Sequence, residues 1–429
     1  MTNRPRRIAV IGGVRIPFCR SNTLYADQSN LEMMTTALEG LVDRFDLAGV
    51  HIDEVTGGAV VTHSKDWNLA REAVIGSRLA PSTPGITMMQ ACGTSLQAAF
   101  GIGAKIAMGE IESGIAIGSD TTSDAPIVVG KRMAGRLIQA QQAKSIGQRL
   151  SAFKGFSPGE LVPQPPNVAE PRTGLSMGQH CELMAQHWHI SRADQDQLAL
   201  ESHRKAAEAY ASGFMDDLIV PCAGVWRDNN LRPDMTLDKI AGLRTAFEKG
   251  EGGTLTAANS TPLTDGAAGV LLASEAWAAA RGLEPQAYLT HMQTSANDFV
   301  AGEGLLMAPT IAVARMLDRA GLALQDFDLY EIHEAFAAQV LATLKAWEDP
   351  DYCRTRLGKS EPLGSIDRAK LNVMGSSLAY GHPFAATGAR ITGLLAKLLS
   401  QRGGRGLISI CTAGGMGVAA ILESAKRAG

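Results

Sequence analysis

Short apolar strands alternate with helical periodicity over about the first 120 residues, and the same rhythm returns toward the C-terminus after a long interruption. Strand patterns fall at Arg7–Ile11, Glu54–Val61, Ile86–Met89 and Ile115–Gly118, and helical patterns at Asn30–Phe45, Asn68–Leu79 and Ser95–Met108. A chain written this way builds a mostly parallel sheet with helices on both faces, because each strand needs a crossover before it can pair again. The rhythm breaks between about Ser123 and Gly253, then resumes through Asp328–Ile332 to the strand Gly406–Cys411. Within the break lie a Gln/Lys/Arg-rich stretch, the Pro-rich Val162–Pro166 and a charged helical segment, Ser191–Ser212. The expected organisation is an N-terminal half (1–122), an inserted loop or lid unit (123–252), a return of the N-terminal half (253–276) and a C-terminal half (277–429). The second half repeats the strand–helix style of the first and hints at a duplicated fold, although direct self-similarity is weak.

At 429 residues the chain can bury a large core, and a formal charge of −3 gives no reason to expect nucleic acid. Apolar runs break well before the roughly 20 residues that a membrane span needs. Arg6-Arg7 ahead of Ile8–Ile11 reads as the approach to a first strand, not a secretory leader. The six cysteines show no paired spacing, so free thiols in a reducing, cytoplasmic setting are expected. Gly12-Gly13 lacks the rest of a dinucleotide-binding loop.

Two cysteines and two histidines sit where reactivity is more natural than packing. Cys92, in Gln90-Ala91-Cys92-Gly93-Thr94-Ser95, precedes an Ala/Gly-rich helix. Its thiolate would gain from the positive helix end, and Gly93 admits a close substrate; a buried inert thiol is the plainer alternative. His382, between Gly381 and Pro383, sits on a sharp turn suited to a base, or to a satisfied loop histidine. His333 follows Leu329–Ile332 and starts the helical run to Lys345. Position 337 is Ala, so the second ligand of a zinc helix is missing, and an N–H aimed at an oxyanion suits His333 better. Cys411 precedes Ala413-Gly414-Gly415-Met416-Gly417, small residues that let backbone N–H groups converge. Two thiols and two imidazoles fit chemistry in which one sulfur carries an acyl group and the other moves a proton at carbon.

Taken in order, Arg15-Ile16-Pro17-Phe18, the Cys92 box, Ser176-Met177-Gly178, Gly253–Asn259, Asp265–Ala268, His333-Glu334-Ala335-Phe336, Gly381-His382-Pro383 and Cys411–Gly415 resemble the thiolase family over essentially the whole chain. The resemblance implies a duplicated αβαβα layered α/β fold with an inserted lid. It makes Cys92 the nucleophile toward a 3-oxoacyl-CoA, His382 its base, and Cys411 the acid for the departing acetyl-CoA enolate. His333 and His382 would hold the enolate oxygen, and the backbone N–H groups of Cys92 and Ala413 the tetrahedral intermediate. Arg232, Thr261, Met177 and Phe336 are carried over as CoA or substrate contacts. Coenzyme A is a substrate, and no metal or other cofactor is implied.

Many thiolases have Asn where this chain has His333; the His form, with Gly381–Ala386 and the length, resembles the thiolase subunit of fatty-acid-oxidation complexes. Ala413 stands where the family often has Gly, and Thr261 where it often has Ser. The resemblance therefore implies degradative cleavage of medium or long chains, a homodimer or larger assembly, and contact with a hydratase/dehydrogenase alpha subunit. The rivals are short-chain acetoacetyl-CoA synthesis by the same residues and a catalytically silent lipid-binding or scaffold subunit. From Ala125 to Gly159 run six basic residues (Lys131, Arg132, Arg136, Lys144, Arg149 and Lys154) and no acid, with Leu137, Ile138, Ile146 and Leu150 between them. That stretch suits CoA phosphates, a partner subunit, a membrane surface or plain solvation. His180, Cys181, His187 and His189 fall on several faces of one helix and read as structural.

Overall fold

The computed structural model describes residues 5–250 and 252–425. Strands β1 (Ile8–Arg15), β2 (Glu54–Gly58), β3 (Gly85–Thr87), β4 (Ser113–Asp120) and β5 (Thr264–Ala273) form one half. Strands β6 (Ala287–Ala296), β7 (Leu329–Ile332), β8 (Arg405–Thr412) and β9 (Met416–Ser424) form the other. The helices that build and cover the site are α1 (Asn30–Phe45), α2 (Thr94–Met108), α3 (Lys131–Gln142), α4 (Ile146–Ser151), α5 (Met177–His187), α6 (Arg192–Ala211), α7 (Ala308–Ala320), α8 (Ala337–Glu348) and α9 (Thr387–Arg402).

Strand pairing establishes the duplication that the sequence only hinted at. The order is β7-β8-β9-β6-β1-β5-β4-β2-β3. In the first half β1/β5 and β5/β4 are antiparallel, while β4/β2 and β2/β3 are parallel. In the second, β6/β9 and β9/β8 are antiparallel and β8/β7 is parallel; Leu371 bridges Tyr330 in parallel where β3 stands in the first half. Helices α1 and α7 follow the corresponding strands β1 and β6, and α2 and α9 precede the corresponding strands β4 and β8. The sheet is mixed, not mostly parallel. Ala413–Gly415 joins β8 to β9 through left-handed Gly414 and Gly415, and so short a connection can only return the chain antiparallel.

Strand alternation fills three core layers. On β5, Ala268, Val270 and Leu272 face the central layer, while Ala267, Leu271 and Ala273 face the layer under α1. On β9, Val418, Ala420 and Leu422 face the centre, while Ala419 and Ile421 face the opposite outer layer. Helices α2 and α9 lie side by side in the central layer and pack on strands of both halves. Their N-termini are pressed together: a Cβ on Gly388 would lie 2.4 Å from the Leu96 nitrogen, and the Ala389 N–H donates to Ser95 Oγ at 2.8 Å. Gly388→Ala should therefore cost about 1–3 kcal/mol, read as a lower urea midpoint, and should also lower turnover by spreading the two helix starts.

The interrupted segment does not behave as one piece. Helices α3 and α4 bury no residue, whereas α5 and α6 pack on α8, and Ile219 bridges β1 at Arg15. Arg136 is tied into the exposed portion by Glu160 and by the carbonyls of Ala152, Lys154 and Gly155. Leu137, Ile138, Ile146 and Leu150 are solvent-exposed. No helix among the described residues is long and apolar enough to cross a membrane.

Candidate active site

The two central helices bring the candidate residues together. Cys92 sits just before α2 on a turn held by Thr94, whose hydroxyl accepts from Gln90 N–H at 2.8 Å and donates to Ala91 C=O at 2.7 Å. Ala91 is left-handed (φ 44°), a conformation that costs a non-glycine residue about 1–3 kcal/mol and that turns the chain sharply just before Cys92. His382 precedes α9 on the turn opened by Gly381 (φ 104°). Its Nε2 lies 3.0 Å from Cys92 Sγ, and its Nδ1 lies 2.6 Å from Thr387 Oγ1.

His333 does not start a helix; α8 begins at Ala337. The segment between is extended because its backbone groups pair elsewhere. His333 N–H donates to Ser409 C=O, Phe336 bridges Ser260, and Ala335 C=O receives Thr261 N–H. That pairing leaves the His333 ring centre 4.1 Å from that of His382, the two planes tilted by 47°, with Nδ1 2.8 Å from Ser377 Oγ. Its Nε2 is buried with no hydrogen-bond partner among the described residues. Cys411, near the end of β8, is buried beside Cys92, close enough for the two sulfurs to repel each other if both ionised. The backbone N–H groups of Ala413 and of Cys92 itself lie near enough to Cys92 Sγ to favour its ionised form.

Burial sets the resting charges. It pushes the Cys92 thiol up to about 12, against the pull of the Ala413 N–H. It pushes His382 down to about 3, with Arg390 adding to the effect. It drives His333 well below and Cys411 well above their ordinary values. The thiolate favoured by a helix start is thus outweighed by desolvation, and the resting pair is a neutral thiol facing a neutral imidazole.

The carried-over contacts are more dispersed. Thr261 gives both its N–H and its hydroxyl to Ala335 C=O, each at 3.0 Å. Phe336 is buried with its ring 5.8 Å from Phe247, edge to face, and Met177 packs against the same cluster. Arg232 is exposed, its N–H donating to His203 Nδ1; its guanidinium forms no hydrogen bond or salt bridge among the described residues. His180 bonds Thr173 and meets Phe299 edge-on, while His187 meets Trp188. The metal-capable group among the described residues is instead Cys92, His333 and His382, whose ligand atoms lie within 4.8 Å of one another.

Sequence reasoning missed the supports. Arg390 donates to Ser377 Oγ at 2.8 Å and Ser376 Oγ at 3.2 Å. Asp120, at the end of β4, accepts the N–H groups of Val60, Val61 and Ala385 and so ties the β-sheet to the turn before α9. Burial raises its carboxyl to about 7. The one available signal was Arg390 itself, a charge inside an otherwise small and apolar helix start, Thr387-Gly388-Ala389-Arg390-Ile391.

Residues 8–276 match the family described as "Thiolase, N-terminal domain" and residues 283–424 the one described as "Thiolase, C-terminal domain". A 3-ketoacyl-CoA thiolase of Shewanella baltica (strain OS185) is 43% identical over 424 residues, covering 97% of each chain. Another, from Yersinia pestis (strain Pestoides F), is 42% identical, covering 99% of this chain and 98% of that one. Among solved structures, human mitochondrial 3-ketoacyl-CoA thiolase superposes with a TM-score of 0.80 at 27% identity, covering 98% of this chain and 99% of that one. The Bacillus anthracis acetyl-CoA acetyltransferase superposes with a TM-score of 0.81 at 29% identity, covering 99% and 100%.

Proposed function

This chain belongs to the thiolase family, and from that premise and the site geometry we infer that it is a 3-ketoacyl-CoA thiolase, an acyltransferase of fatty-acid β-oxidation. The observation that carries the chemistry is the Cys92 Sγ–His382 Nε2 contact of 3.0 Å beneath the Ala413 N–H.

Cys92 sulfur attacks the 3-keto carbon as its proton passes to His382 Nε2, which requires His382 to keep a proton on Nδ1 toward Thr387. The N–H groups of Cys92 and Ala413 hold the tetrahedral oxyanion. The bond between carbons 2 and 3 breaks, its electrons forming the acetyl-CoA enolate, whose oxygen lies between His333 and His382. Cys411 gives its proton to the enolate carbon, and the proton parked on His382 restores the Cys411 thiol. A second CoA thiol then yields its proton to His382 and attacks the acyl-Cys92 thioester. Expulsion of Cys92, reprotonated by His382, completes a ping-pong cycle. Neutral resting groups suit this sequence, because the proton moves only as the sulfur bonds to carbon.

His333→Ala should lower kcat by about 10²–10³-fold, the loss typical of one oxyanion donor, with little change in KM; steady-state kinetics with a 3-oxoacyl-CoA checks it. Medium or long chains as the substrate class, coenzyme A as substrate without a metal cofactor, and a homodimeric or larger assembly with a hydratase/dehydrogenase subunit complete the reading. Six free cysteines support a reducing, cytoplasmic setting. Arg232, Thr261, Met177 and Phe336 stay in the reading as substrate contacts. The test is a thiolysis assay over acyl lengths from C4 to C16. Turnover beyond C4 supports the assignment; activity confined to C4 favours short-chain acetoacetyl-CoA synthesis, and none at any length favours a silent subunit.

A further inference from the structure

We propose that Arg390 and Ser377 are positioning residues that lock His333 in the tautomer carrying its proton on Nε2, so that this ring can act only as a donor into the site. The proposal rests on the reading of His333 as the enolate donor, and deepens it.

Proton counting carries the argument. Arginine has donors and no acceptor, so in the 2.8 Å contact between Arg390 Nη2 and Ser377 Oγ the serine oxygen must accept. The serine then has one proton to place, and its other partner is His333 Nδ1 at 2.8 Å. If Nδ1 accepts that proton, Nε2 carries the ring's own hydrogen, and of the His333–Ser377 pair only Nε2–H lacks a partner among the described residues; the unpartnered Arg390 Nε and Nη1 are the same in either arrangement. In the opposite arrangement Nδ1–H donates to Ser377, and two buried groups are stranded: the serine O–H and a bare Nε2. Ser377 and His333 are fully buried and Arg390 is 4% exposed, so water does not relieve the second arrangement. The doubly protonated ring is disfavoured by the same burial and by the nearby guanidinium.

The stranded Nε2–H is what an enolate oxygen would satisfy. It is a donor held ready through the Arg390 guanidinium, on a ring whose centre lies 4.1 Å from that of His382. The arrangement has a second consequence. Cys92, His333 and His382 have the compactness of a metal site, but a protonated Nε2 has no lone pair to give, so His333 is denied to the metal as a third ligand.

The test is nitrogen NMR of the whole enzyme labelled at its nine histidines, with the His333 signals identified by their loss in His333→Asn. A protonated Nε2 and an unprotonated Nδ1 in the unaltered enzyme are expected; a protonated Nδ1 overturns the proposal. Ser377→Ala should show both tautomers and lose about tenfold in kcat, less than the 10²–10³-fold of losing the donor, with KM changed less than about twofold. Ser377→Thr should restore both the spectrum and the rate. A Ser377→Ala enzyme that keeps a pure Nε2–H ring and full kcat also overturns it. Unchanged thiolysis in His333→Ala would instead sink the enolate-donor reading and leave the tautomer assignment standing.

Discussion

Cys92→Ser should reduce thiolysis of a 3-oxoacyl-CoA by about 10³-fold or more while leaving the thermal midpoint nearly unchanged. A buried alcohol is a far poorer nucleophile than a buried thiol, because oxygen holds its proton more tightly than sulfur in the same site and is intrinsically less nucleophilic. A 10³-fold loss corresponds to about 4 kcal/mol of barrier. The hydroxyl is smaller than the thiol and still reaches His382, so the packing loss is slight. Stopped-flow or steady-state assays beside a melting curve separate lost chemistry from lost fold. Normal turnover in Cys92→Ser would remove the covalent step from the mechanism.

Cys411→Ser should produce a different failure. General acid–base contributions are typically 10²–10⁴-fold, so overall cleavage should fall by about 10³-fold. Exchange of labelled CoA into a saturated acyl-CoA needs only Cys92, His382 and the backbone N–H groups, and should continue near its normal rate. Hydrogen exchange from solvent deuterium into the methyl group of acetyl-CoA needs a proton carrier at carbon, and should vanish with cleavage. The buried thiol next to Cys92 motivates this division of labour. Loss of CoA exchange together with cleavage would place Cys411 in the acyl-transfer half instead.

Four distant side chains were legible because each sits at a junction between elements that the local pattern already marks. Cys92 and His382 precede the two central helices, Cys411 closes a strand, and His333 follows one. Their convergence was not legible from spacing alone. It arises because the duplicated halves place α2 and α9 side by side, with Gly388 letting the helix starts touch. The parallel sheet expected from strand–helix alternation was wrong at the centre of each half: in the second, the three-residue turn Ala413–Gly415 has no helical signature to reveal a hairpin, and in the first, β4 and β5 pair antiparallel across the long interruption.

Other misreadings have equally local causes. Helical periodicity after Ile332 suggested that His333 opened a helix, but backbone pairing of Ala335 and Phe336 with Ser260 and Thr261 overrides it across more than seventy residues of chain. The charge state of Cys92 could not be read either: the sequence displays the helix start but not the depth of burial that opposes it. Ser377 left no mark in the residue pattern, because its importance lies in the proton it can give His333, and Arg390 showed only as a charge in an apolar helix start.

The most direct test of the account is to mix the enzyme with a 3-oxoacyl-CoA in the absence of free CoA, quench in acid, digest, and locate the acyl group by mass spectrometry. The account predicts an acyl chain two carbons shorter than the substrate, attached to Cys92 and absent from Cys411. An adduct on Cys411, or none on any cysteine while acetyl-CoA is released, would contradict it.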